Sequence, residues 1–133
     1  MNYSVKVALT CEEKPKIVKP EELSELNPKQ LVLYSGAMCA AYTIQHLLKK
    51  EHLKLKSLEI TLSGELSTAT LLPESEFESF MVNYNAECNT LEEQSKVSQI
   101  IRITQDRACG LIRMLKKIAP VSHEISIVST ESL

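Results

Sequence analysis

Hydrophobic and polar residues alternate along four segments of the chain, and in two longer segments apolar residues recur with helical spacing. Alternation is typical of a strand with one buried face, because successive side chains point to opposite sides of a sheet. A short extended piece is also expected at 16–18, since the lysines that precede Pro15 and Pro20 are disfavoured in the α region. The alternating segments are residues 3–9, 53–66, 77–88 and 121–128.

The first long helix is predicted to begin at Asn27-Pro28, because asparagine suits the N-cap and proline suits the first helical position. From Gln30 to Leu48 no side chain carries a formal charge, and two lysines then follow where cations favour the helix dipole. A helix that is apolar on nearly every side is typically buried. Several polar or small residues make the segment a poor membrane span. They are Gln30, Ser35, Gly36, Thr43, Gln45 and His46.

A capping box at Thr90–Glu93 predicts the start of a second helix, which Pro120 ends. Gly110 is expected to break or kink this helix, so that Cys109 lies near the start of its second segment. The helix carries a 3.6-residue stripe made of Val97, Ile100, Ile101, Thr104, Ala108, Leu111, Ile112 and Leu115.

The predicted order is strands, a long helix, a pair of strands, a helix and a last strand. This order favours an α+β fold in which an antiparallel sheet packs on a long buried central helix. No GxGxxG or phosphate-binding loop is present, so a nucleotide-binding fold is not indicated. With 133 residues, the chain is expected to form a single domain over 1–133.

Composition argues against several classes of function. The formal net charge is −2 and tryptophan is absent, so neither counterion release nor base stacking is expected to hold a nucleic acid. The N-terminus lacks the layout of a signal peptide, which favours the cytoplasm and reduced cysteines. The four cysteines include no CxxC pair and the three histidines have no metal-ligand spacing, so no metal or other cofactor is predicted.

Candidate chemistry is limited to two cysteines, one in each predicted helix. Cys39 lies midway along the apolar helix, and Cys109 lies beside Gly110. One interpretation is that both are small buried hydrophobes, as free cysteines often are. The other is a redox pair, which requires the two Cα atoms to come within about 7 Å where the helices cross. Cys88 is expected in the core and Cys11 in a polar loop.

Several segments resemble the OsmC/Ohr family of thiol peroxidases, and in particular its less characterised branch. The clearest is the motif N-P-x-x-L-x-x-x-x-G-x-x-C, which runs from Asn27 to Cys39. The resemblance continues in order, at family-like spacing, as far as residue 128. The other similar segments are 44–50 with 58–65, for the helix end and next strand, and 109–115 with 125–127, for the second cysteine and final strand.

This resemblance implies an intertwined homodimer with two thiol sites at the subunit interface. It also implies a catalytic cycle in which Cys39 attacks an apolar organic hydroperoxide, releases the alcohol and keeps a sulfenic acid. Cys109 then condenses with that sulfenic acid to a disulfide, which a dithiol reductant opens. The implied catalytic residues are Cys39 and Cys109, and the implied partners are a second copy of the chain, the hydroperoxide and the dithiol.

The sequence departs from the best-known peroxidases at two points. Lys29 stands where those enzymes carry a glutamate, ten residues before the first cysteine, and no arginine precedes Arg102. These departures favour a second hypothesis, in which a weakly active or inactive homodimer binds a small apolar molecule at the subunit interface. Residues 31–44 independently favour a homodimer, since they carry more apolar surface than one small sheet and one helix can cover.

Overall fold

The computed structural model describes residues 1–130, which form five strands and three helices. A 3-10 turn, Leu23–Glu25, precedes the first helix, and a π-helical turn, Thr104–Ala108, separates the second helix from the third. The strands are β1 (Asn2–Leu9), β2 (Lys16–Lys19), β3 (Ser57–Leu66), β4 (Phe77–Cys88) and β5 (Val121–Ser129). The helices are α1 (Pro28–Lys50), α2 (Leu91–Ile103) and α3 (Gly110–Ile118).

The strands form one mixed sheet in the order β2-β1-β3-β4-β5. The α+β class agrees with the prediction, and β1 to β4 pair antiparallel with their neighbours. The sheet differs from the antiparallel prediction at one pair, because β5 runs parallel to β4. The chain between these two strands carries α2 and α3, and a helical crossover of this kind returns the next strand in the same direction.

The start of α1 is fixed by a capping box, as Asn27-Pro28 predicts. The backbone N–H of Gln30 donates to Asn27 Oδ1 at 2.9 Å, and the backbone N–H of Asn27 donates to Gln30 Oε1 at 3.2 Å. Two donors that have no partner inside the helix are thereby satisfied. The cap thereby fixes the residue at which α1 begins.

A glycine lets α1 lie close to the sheet. A Cβ atom at Gly36 would stand 2.6 Å from Leu62 Cδ2 on β3 and 3.3 Å from Leu115 Cδ1 on α3. Such a separation is too short for two carbon atoms, so any larger residue would force the helix or its neighbours to move. The close approach brings the middle of α1 against β3 and α3 together.

The face of α1 that meets the sheet is fully buried, while the opposite face is not. By length and hydropathy this helix could cross a membrane, but here its buried side packs in the core against β1 and β3. The predicted burial on nearly every side is not seen within one chain, because a single sheet covers only one face of a helix. Leu31, Val32 and Tyr42 remain 44%, 39% and 49% exposed.

Candidate active site

Cys39 lies in the middle of α1, three residues after Gly36. It is half-buried and packs at the margin of the hydrophobic core. Its backbone carbonyl accepts a hydrogen bond from Thr43 Oγ1 at 2.8 Å. The residue is less buried than Cys109, which is 0% exposed.

Cys109 lies at the junction between the π-helical turn and α3. Its φ of −89° and ψ of 111° are extended, so it is the N-cap residue of α3. The side chain is fully buried, and the backbone N–H groups of Ile112 and Leu111 in the first turn of α3 lower the pKa of its thiol.

The structure brings these two cysteines together from distant parts of the sequence. The Cys39 thiol lies close enough to raise the pKa of Cys109, and both cysteines are free rather than joined in a disulfide. The contact arises because α1 packs against both the π-helical turn and α3. Cys88 is buried elsewhere in the core, and Cys11 is partly exposed near the end of β1.

The two thiols differ in environment. Burial is the main cause that raises the pKa of Cys109 from its ordinary value of 9.0 to about 12. The backbone N–H groups of Ile112 and Leu111 lower the pKa by stabilising the thiolate, whereas the nearby Cys39 thiol raises it. Cys109 is therefore a neutral, inaccessible thiol at physiological pH, while Cys39 is only half-buried.

The raised pKa of Cys109 predicts that the stability of the fold depends on pH. Because folded Cys109 holds its proton more tightly than the unfolded thiol, it stabilises the fold below pH 9.0, and this contribution is lost as the pH rises to about 12. We expect Cys109→Ala to lose stability less steeply than the wild type across this interval. Urea unfolding at a series of pH values measures the slope, with Cys11→Ala as the control. Parallel curves for wild type and Cys109→Ala would contradict the prediction.

A buried polar pair lies beside Cys109 and is absent from the sequence-based prediction. The Tyr84 hydroxyl donates to Gln105 Oε1 at 2.6 Å, and each of these residues is 1% exposed. Burial raises the pKa of Tyr84, and a charge on Cys109 raises it further, so the phenol stays protonated and lies within electrostatic reach of that thiol. Gln105 could not be recognised from the helical stripe, which does not include its position.

Lys29 and the two arginines nearest to Cys109 in the sequence take surface or peripheral positions. Lys29 Nζ donates to the backbone carbonyl of Pro73 at 3.4 Å. Arg107 and Arg113, which flank Cys109 in sequence, are both exposed. The positive potential that the structure places at the thiol pair comes from the backbone N–H groups at the start of α3.

An apolar groove of about 300 Å³ opens between α1 and α3. Neither cysteine lines it, but Gly36 precedes Cys39 by one helical turn and Leu111 follows Cys109 by two residues, so the groove borders the two elements that carry the thiols. Its walls suit an apolar molecule, with Ser35 as the one hydroxyl. The lining residues are Val32, Ser35, Gly36, Leu111, Met114, Leu115 and Ile118.

The described residues offer little for a metal ion. Across positions 1–130, no group of three or more histidine, cysteine, aspartate or glutamate side chains is arranged to hold one.

Most of the chain matches one known protein family. The sequence profile described as OsmC-like protein covers residues 20–124, which includes both Cys39 and Cys109. No curated protein matches the chain in sequence.

Solved structures share the fold. A hypothetical protein from Aquifex aeolicus VF5 is 25% identical, with 77% of this chain and 76% of that chain covered and a TM-score of 0.59. An OsmC like protein from Mycoplasma pneumoniae is 12% identical, with 96% of each chain covered and a TM-score of 0.62. The organic hydroperoxide resistance protein OhrB of Bacillus subtilis is 13% identical, with 90% of this chain and 96% of that chain covered and a TM-score of 0.56.

Proposed function

Because the chain belongs to the OsmC-like protein family, we propose that it reduces organic hydroperoxides through a redox cycle of Cys39 and Cys109. The observation that carries the proposal is that the fold brings two free thiols from distant parts of the sequence close enough to act on each other, on the two elements that border an apolar groove. The hydroperoxide as substrate is suggested by structural relatives such as OhrB of Bacillus subtilis, whose description names organic hydroperoxide resistance. We place this cycle in the cytoplasm, where thiols are kept reduced.

The first step takes place at Cys39. Its thiolate attacks the distal oxygen of the hydroperoxide, the O–O bond breaks, and the alkoxide leaves and takes up a proton to become the alcohol. Cys39 retains the distal oxygen as a sulfenic acid. The half-buried position of Cys39 supports this assignment, since the peroxide must reach the attacking sulfur.

The second step takes place at Cys109. Its sulfur attacks the sulfenic sulfur of Cys39, an S–S bond forms, the S–O bond breaks, and the proton of Cys109 joins the leaving hydroxide as water. The full burial of Cys109 and its pKa of about 12 argue against a first attack on peroxide by this thiol. A dithiol, oxidised to its own disulfide, then returns both cysteines to thiols by exchange.

The direct test is disulfide formation. One equivalent of cumene hydroperoxide should convert Cys39 and Cys109 to one intramolecular disulfide, detected by mass spectrometry after trypsin digestion without reduction. Cys11→Ser should form the same disulfide, because Cys11 lies outside the site. If both Cys39 and Cys109 stay open to alkylation after peroxide, the redox cycle is wrong. The groove beside them would then support the alternative of a protein that binds an apolar ligand without chemistry.

We also propose that the active form is a homodimer. Apolar side chains of α1 and α3 are exposed in the single chain, and burying them against a second copy is favourable. Sedimentation at micromolar concentration should give a dimer, and Met114→Lys should shift it towards monomer. A wild-type monomer at that concentration would contradict the proposal. The exposed residues are Leu31, Val32, Met114 and Ile118, which are 44%, 39%, 53% and 61% exposed.

A further inference from the structure

The chain is helical from Leu91 to Ile118 except at one residue, Cys109. α2 continues directly into the π-helical turn, and α3 begins at Gly110. Between the two helical segments the backbone of Cys109 is extended, with a φ of −89° and a ψ of 111°. A residue at the end of an element can act as a hinge, because its φ and ψ absorb a change in the angle between the segments on either side. The second thiol of the proposed cycle therefore lies at such a hinge position.

The backbone groups of Cys109 are bonded to the segment on each side. The N–H of Cys109 donates to the Thr104 carbonyl at 3.2 Å, and the Cys109 carbonyl accepts from the N–H of Arg113 at 3.1 Å. The first bond joins Cys109 to the π-helical turn and the second joins it to α3. Neither bond spans from one segment to the other.

The side chain of Lys116 does span the two segments. Its Nζ atom, on α3, donates to the backbone carbonyl of Gln105 in the π-helical turn at 2.8 Å. The break at Cys109 leaves the last carbonyls before it without partners inside the helix. Because Gln105 is 1% exposed, its carbonyl needs a partner from the protein rather than from water. Lys116 supplies that partner and thereby clamps α3 to the π-helical turn across Cys109.

The angle at the hinge matters because Cys39 lies on a third element. α1 carries Cys39 and packs against both the π-helical turn and α3, so a change in their angle would move Cys109 relative to α1. A disulfide needs the two sulfur atoms about 2 Å apart, which tolerates little displacement. Gly110 gives the hinge no side-chain support, since no atom of residues 1–130 lies within 4 Å of the place its Cβ would take.

We propose that Lys116 is a positioning residue, which clamps the hinge at Cys109 and so keeps this thiol in place to attack Cys39. The inference rests on the proposed function and concerns its second step only. Lys116 acts through the backbone of the π-helical turn. Without the clamp, Cys109 spends time in positions from which its sulfur cannot reach the sulfenic sulfur, and the effective concentration of the pair falls. The attack of Cys39 on the peroxide precedes this step and does not depend on the hinge.

Single-turnover kinetics test the clamp, because they separate the two steps. One equivalent of cumene hydroperoxide is mixed with the reduced protein. Samples are quenched in acid and analysed by intact-protein mass spectrometry, which distinguishes the sulfenic acid from the disulfide. We expect Lys116→Met, which keeps most of the side-chain length but lacks the donor, to form the sulfenic acid at the wild-type rate. Its disulfide should then close about tenfold more slowly, since the two sulfur atoms are less well positioned.

Two variants on the same helix are the controls. Lys116→Arg keeps a positively charged donor and should restore closure to nearly the wild-type rate. Lys117→Met removes the neighbouring exposed charge and leaves the bond between Lys116 and Gln105 in place, so it should also close at the wild-type rate. Because Lys116 is itself exposed, Lys116→Met should fold, which thermal unfolding checks.

Each outcome has a distinct meaning. Wild-type closure in Lys116→Met, equal slowing in Lys117→Met, or closure in Lys116→Arg as slow as in Lys116→Met would each overturn the inference while leaving the proposed function standing. Equal slowing of sulfenic acid formation in Lys116→Met would do the same, because the clamp acts on the second step alone. A wild-type protein that forms neither sulfenic acid nor disulfide would overturn both.

Discussion

Cys39→Ser is expected to abolish the turnover of cumene hydroperoxide, with a rate at least about a hundredfold below that of the wild type. A serine hydroxyl does not ionise at physiological pH, so it cannot replace the thiolate that attacks the peroxide oxygen. Serine differs from cysteine by one atom and Cys39 is only half-buried, so the fold should be kept. Peroxide consumption in the presence of dihydrolipoamide measures the effect, and thermal unfolding checks that the variant is folded.

The control for this experiment is Cys11→Ser. Cys11 is partly exposed and lies far from the thiol pair in the fold, so its removal should leave turnover unchanged. The same comparison also excludes a trivial reaction between peroxide and any accessible thiol. If Cys39→Ser turns over cumene hydroperoxide as fast as the wild type, Cys39 is not the attacking residue and the proposed function fails.

Features with a local chemical cause could be predicted closely from the sequence. The bounds of β4, Phe77–Cys88, match the alternating segment at 77–88, because a period of two identifies a strand with one buried face. The Asn27 cap and the Thr90 cap begin their helices as expected, since each side chain accepts from a backbone N–H three residues later. Such signals act within a few residues and need no knowledge of the rest of the fold.

The π-helical turn shows where a periodic pattern fails. The stripe predicts that Thr104 and Ala108 are buried on one helical face, whereas Ala108 is exposed and Gln105 and Cys109 are buried. A π turn takes one more residue than an α turn, so the positions from Thr104 to the extended Cys109, where the helix breaks, are shifted around the axis. This shift brings Cys109 inward, and no hydrophobic pattern in the sequence reveals where the extra residue is taken up.

Periodicity also could not predict the direction of β5 or the contact between the two thiols. Alternation at 121–128 reveals a strand but not whether it runs parallel to its neighbour, which depends on the crossover through α2 and α3. The contact of Cys39 with Cys109 depends on long-range packing of α1 against α3. From the residues alone, a redox pair was one of two interpretations of Cys39 and Cys109. The assignment of Cys39 as the attacking thiol and Cys109 as the second thiol came from the family resemblance.

The exposed apolar side of α1 has a consequence for the site itself. The groove beside the thiols is formed by α1 and α3, and residues of both helices around it remain exposed in one chain. A second copy packed on this side would enclose the groove, exclude water and leave an apolar entrance for a hydroperoxide. The proposed homodimer and the proposed chemistry are therefore linked, and a variant that dissociates the dimer should also lose turnover.

Cys109→Ser is expected to inactivate the protein during the first few turnovers, although Cys39 is intact. Without the second thiol, the sulfenic acid on Cys39 has no intramolecular partner, and the next hydroperoxide molecule oxidises it to the sulfinic acid, which dithiols do not reduce. In the wild type the fold already holds the two thiols close together, so closure outpaces a second bimolecular encounter. Intact-protein mass spectrometry after repeated additions of peroxide and dithiol should show two added oxygens on Cys109→Ser and none on the wild type.

The matched control is Cys88→Ala, which removes another buried thiol that does not contact Cys39. It should keep the wild-type resistance to over-oxidation, even where the lost packing lowers its melting temperature. The decisive comparison is thus between two buried cysteines of which only one adjoins Cys39. If Cys109→Ser sustains turnover with an unmodified Cys39, the dithiol must reduce the sulfenic acid directly, and Cys109 is a structural residue of the core rather than the resolving thiol.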